Sequence, residues 1–105
     1  MAISKELYEA VTGYRDDLID IAICGKTIGY PGHNVNIYEL MHMCKEWAWN
    51  NGYELASFKA NHSGSWFCTI RIIDIITNKI TFITSTEPEA VFKTCQWVLD
   101  NKDEL

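Results

Sequence analysis

Three histidines, His33, His42 and His62, and four cysteines, Cys24, Cys44, Cys68 and Cys95, are the residues best suited to ligate a metal or attack a substrate. Their spacing argues against both. A compact metal site is usually announced by close pairs such as C-x-x-C or H-x-x-x-H. Here the cysteines are 20, 24 and 27 residues apart and no two histidines share a helical turn. A nucleophilic thiol must be accessible and held by an oriented imidazole. Each cysteine instead falls in an apolar segment, where a thiol behaves as a small hydrophobe. Asp16 and Asp17 are adjacent in a polar stretch and read as solvated acids. The chain has no phosphate-binding P-loop, G-x-S-x-G elbow or G-x-G-x-x-G run. No catalytic residue, metal or cofactor is therefore expected, and an enzyme would need a site of unrecognised type.

Binding chemistry is better represented. Two polar stretches, 32–36 with His33, Asn34 and Asn36, and 61–65 with His62, Ser63 and Ser65, are candidate ligand loops. The first leads into a helix start, whose free N–H groups attract anions such as phosphate. Brought together, these stretches would make a small pocket for a nucleotide. The sharper feature is Tyr38, His42, Lys45 and Trp49, at i, i+4, i+7 and i+11. At about 100° per residue they share one helix face. Trp97, with Lys93 nearby, is expected on a similar face of the last helix. Exposed Trp and Tyr are interface material; the competing reading is that these rings cover a second core layer. A homodimer through this surface would satisfy both.

The elements that hold these residues can be read from hydrophobic period and caps. Ser4 caps a helix over 3–12, with Leu7, Ala10 and Val11 on one face and Gly13 as its stop. Residues 18–24 alternate as a strand with one wet face, Gly25-Lys26 turns, and 27–30 returns. Residues 31–34 read as a loop. Asn36 caps the main helix, 37–50, whose Ile37, Leu40, Met41, Cys44 and Ala48 form the core stripe; Gly52 lies just past its end. Strands are expected over 53–60, 65–76 and 79–84. The middle one carries Trp66, Cys68, Ile70, Ile72 and Ile76 on one face and Phe67, Ile73 and Ile75 on the other. That double face predicts a central strand covered on both sides for part of its length. Thr86 and Glu89 make a capping box around Pro88, opening a helix to about 101. The order α-β-β-α-β-β-β-α predicts an α+β fold: an antiparallel sheet of about five strands, two long helices and a short N-terminal helix, all in a single domain over 1–105.

Composition narrows the partners. Nearly half the residues are apolar, enough for a core without staples. Four Trp, five Tyr and four Phe exceed what packing alone demands. A net charge of −5, with nine scattered basic residues, disfavours duplex nucleic acid. No run approaches the roughly 20 apolar residues of a membrane helix. The N-terminus carries acids where a signal peptide needs an apolar stretch, so reduced thiols and a cytoplasmic setting are expected. Lys102-Asp103-Glu104-Leu105 matches an endoplasmic-reticulum retrieval signal. Without a leader it reads as a coincidental charged helix end.

Three segments carry a resemblance: the helix running into Asn-Gly-Tyr at 37–53, the strand Trp66-Phe67-Cys68-Thr69-Ile70, and the helix start Ser85-Thr86-Glu87-Pro88-Glu89-Ala90-Val91-Phe92. Over about 35–100 the chain resembles small phage and prophage proteins of the phage α-β-α sandwich family. That resemblance implies an origin and brings no catalytic residues. With the missing catalytic machinery and surplus Trp, it leads to the expectation of a phage-type accessory protein acting by binding, foremost a counter-defence inhibitor of a host protein in the host cytoplasm. The alternatives are a sponge sequestering a small nucleotide signal, with an aromatic ring stacking on the base, and a structural homodimeric module.

Overall fold

The computed structural model describes residues 3–13, 22–24, 27–30, 33–59, 64–72 and 79–101. Helix α1, Lys5–Thr12, is set by both of its ends. The Ser4 hydroxyl oxygen accepts from the Leu7 amide at 3.1 Å, and Gly13 takes the left-handed conformation (φ 81°) while its amide donates to the Glu9 carbonyl at 2.8 Å. Leu7 and Tyr8 are fully buried, and the Ser4 hydroxyl also donates to Gln96 Oε1.

Two three-stranded antiparallel sheets follow. The first contains β1 (Ala22–Cys24), β2 (Thr27–Tyr30) and β3 (His33–Asn36). Strand β3 was not expected. Residues 33 and 34, read as loop, pair with β2 in the register Ile28↔Val35, Gly29↔Asn34 and Tyr30↔His33. Ile28 is buried and Val35 packs against the core, so two apolar side chains anchor a strand of otherwise poor β-formers. Residues 18–21 of the expected first strand and the Gly25-Lys26 turn lie outside the described residues.

The second sheet contains β4 (Tyr53–Lys59), β5 (Trp66–Ile72) and β6 (Lys79–Thr84), with β5 central. Helix α2, Ile37–Asn50, precedes it and helix α3, Glu87–Asn101, follows it. Gly52 (φ 91°) gives the α2–β4 turn its left-handed residue. Thr86 opens α3, its Oγ1 accepting from the Glu89 amide at 3.4 Å. The class is α+β, and the element order is as read from sequence with β3 added.

Both long helices pack on the same face of the second sheet, and α1 packs across them. The core lies between these layers: Leu40, Met41, Cys44 and Ala48 of α2, Val91, Phe92, Cys95 and Val98 of α3, and Cys68 and Ile70 of β5. Burying a large side chain of this kind contributes about 1.5–3 kcal/mol. The buried Thr94 hydroxyl donates to the Ala90 carbonyl at 2.8 Å, and no buried side-chain polar atom among the described residues lacks a partner. The other face of the sheet departs from expectation. Phe67 lies there, but its cross-strand neighbours Phe58 and Ile83 are 50% and 60% exposed. No described helix covers that face, so the described part of β5 is covered on one side. Ile73, Ile75 and Ile76 lie outside the described residues.

Candidate functional site

Helix α2 presents two distinct faces, one buried and one exposed. Its start is fixed by Asn36, whose Oδ1 accepts from the amides of Tyr38 (2.9 Å) and Glu39 (3.4 Å). At its end the Asn51 side chain donates to the Trp47 carbonyl at 2.8 Å. The core stripe Ile37, Leu40, Met41, Cys44 and Ala48 is buried throughout, as its spacing requires. With those five positions held down, the arc that carries Tyr38, Glu39, His42, Glu46 and Trp49 faces out. Tyr38 is 53% and Trp49 57% exposed, and His42, Glu39 and Glu46 are exposed with them. Tyr38 and Trp49 stand about 16 Å apart along the axis, at 1.5 Å per residue. The result is an exposed aromatic pair with a histidine position between them and two glutamates alongside.

Two expected members of this surface do other work. Lys45 is half-buried and its Nζ donates to Ser57 Oγ at 2.9 Å, tying α2 to β4. Trp97 is half-buried against the core and meets Tyr53 edge-on, with ring centroids 6.3 Å apart and planes at 85°. It covers the core margin, whereas Tyr38 and Trp49 remain at the surface. The acids Glu39 and Glu46 are members that the aromatic spacing did not single out; their helical positions between Tyr38 and Trp49 were the available signal.

The candidate ligand loops are not brought together. His33 and Asn34 are strand residues of β3, Asn36 is spent on the α2 cap, and His62 and Ser63 lie outside the described residues. Ser65 is half-buried directly before β5 and already has an interaction partner. At the α2 N-terminus, Asn36 takes two of the amides an anion would use, and Glu39 adds negative charge in the first turn. A shallow cleft of about 350 Å³ lies between the two residues that lead into α1, Ile3 and Ser4, and α3, where Phe92, Lys93 and Gln96 line it.

Cys44, Cys68 and Cys95 are buried free thiols. Burial pushes Cys68 up to about 11, opposed in part by a hydrogen bond with Thr94. Cys95 is raised as well, first by hydrogen bonding with Cys44 and then by burial; its Sγ donates to the Cys44 carbonyl at 3.5 Å. Cys68 and Cys95 therefore stay protonated at neutral pH and are poor nucleophiles. Among the described residues no group of three or more His, Cys, Asp or Glu side chains could hold a metal ion. No described helix is long and apolar enough to cross a membrane. The chain matches no known protein family, curated protein or solved structure.

Proposed function

We propose that this protein acts by binding another protein through the solvent face of α2. The observation that carries the reading is the pair Tyr38 and Trp49, both more than half exposed on a helix whose core stripe is fully packed. Large rings held rigidly at the surface supply contact area at low conformational cost, which is why Trp and Tyr recur as binding hot spots. His42 lies between them, and Glu39 and Glu46 give the surface an acidic flank. The complementary partner presents an apolar cleft with a basic rim. The resemblance over 35–100 supports a phage-type origin, and with it we read the chain as an accessory protein, in its specific form a counter-defence inhibitor of a host protein. The nucleotide-sponge alternative has weaker support, because Asn36 and Glu39 already occupy the helix terminus that would receive a phosphate.

The test is capture of a host protein on immobilised wild-type chain, followed by titration of the purified pair. Tyr38→Ala and Trp49→Ala are each expected to weaken that complex by about tenfold or more, at roughly 1.4 kcal/mol per factor of ten. Their melting temperatures should stay near that of wild type. Affinity unchanged in both folded variants overturns the assignment of the surface.

A further inference from the structure

The face of the second sheet that no described helix covers has an ordered surface of its own. Strand register places Phe58, Phe67 and Ile83 in one row across β4, β5 and β6. Phe58 and Phe67 are stacked, with centroids 5.4 Å apart and planes at 15°. The next row along the strands is Ala56, Thr69 and Thr81, and the row beyond is Glu54, Arg71 and Lys79. By residue type at these register positions, the rows run from apolar at one end to charged at the other. The shortest extent of the molecule is 17 Å, room for one helix layer on one sheet; a second sheet or helix layer needs about 10 Å more.

We propose that this face is a self-association surface, on which a second copy stacks its own sheet about a twofold axis parallel to β5. That operator sets β4 over the β6 of the other copy and keeps each row on its own kind. Phe58 lies over Ile83, Phe67 over Phe67, and Ala56 over Thr81. At the far end the register position of Glu54 falls over that of Lys79, twice by symmetry, which pairs residue types of opposite charge. The Arg71 positions meet at the axis, each beside an acidic position of its own chain. Sheets stack face to face with their strands nearly aligned, about 10 Å apart. At 3.3 Å per residue and 4.8 Å between strands the face measures roughly 23 by 14 Å. With side-chain relief a pair of copies buries roughly 900 Å² in total, at the small end of specific interfaces. A second copy fits that size: it yields a weak dimer, half dissociated at micromolar concentration or above. The surface lies across the sheet from α2 and is independent of the binding reading for that helix.

Sedimentation velocity from low micromolar to near-millimolar protein tests this. Wild type is expected to pass from monomer to dimer across that range. Ile83→Lys, at an exposed position that leaves the fold intact, should weaken dimerisation by about tenfold or more. Tyr38→Ala and Trp49→Ala should leave it unchanged, so failure here and failure of the α2 reading are separable. Glu54→Lys and Lys79→Glu should each weaken the homodimer, because each sets like charges across the axis. An equimolar mixture of those two variants should form a heterodimer tighter than either homodimer. A wild-type monomer at every concentration overturns the proposal. So does a dimer indifferent to Ile83→Lys, or a mixture that associates no better than its components.

Discussion

Trp49 and Trp97 looked equivalent by helical spacing, and the structure gives them opposite energetic roles. Trp49 is 57% exposed, with no partner ring among the described aromatic contacts. Trp97 is half-buried, packs against the core and meets Tyr53 edge-on. Truncating a fully buried Trp to Ala costs about 3–5 kcal/mol. Half-burial scales that to roughly 2 kcal/mol, and loss of the edge contact adds about 0.5–1.5 kcal/mol. Trp97→Ala should therefore destabilise by about 3 kcal/mol. For a domain of about 100 residues, at roughly 4 °C per kcal/mol, this lowers the melting temperature by about 10 °C. Trp49→Ala should stay within about 0.5 kcal/mol, or roughly 2 °C, because a surface change has little to lose and Ala favours the helix. Thermal unfolding followed by far-ultraviolet circular dichroism at matched concentration measures both. Equal destabilisation, or a larger loss at Trp49, would refute the division of these rings between core and surface and remove the basis for the α2 interface.

Two further predictions concern the residues that first suggested chemistry. Asn36→Ala should cost about 1 kcal/mol by removing the acceptor of the Tyr38 and Glu39 amides, while Asn36→Asp retains stability; denaturant unfolding at neutral pH distinguishes them. The Cys68 thiol, raised from 9.0 to about 11, is protonated in the folded chain over a range where the unfolded chain has lost its proton. The unfolded state then binds fewer protons, so stability is fully present below pH 9 and falls as pH rises toward 11. Unfolding midpoints at pH 7 and pH 10 should show that fall, and Cys68→Ala should reduce it. A midpoint equal at both values would show that the thiol is not held protonated by burial.

What could be read from sequence divides along local and non-local lines. The α2 stripe, the Asn36 and Ser4 caps, the Gly13 stop and the Thr86–Glu89 start are properties of residues within a turn or two of one another. Each stood where spacing and capping chemistry put it. Strand β3 was missed because His-Asn-Val-Asn carries one apolar residue and follows Pro31-Gly32; its strand character comes from β2, through Ile28↔Val35. Trp97 was placed outward because helix arithmetic knows nothing of Tyr53, which a different strand brings to its edge. Phe67 was read as covered because an apolar residue on the second face of a central strand usually is. Alternation assigns Phe58, Phe67 and Ile83 to faces of their own strands, but only the register makes them one row, and only the side on which α2 and α3 pack leaves that row uncovered. Both candidate surfaces are therefore residues left over after the core is satisfied. The α2 face follows from one helix and was legible, whereas the sheet face depends on three strands and two helices agreeing and required the fold.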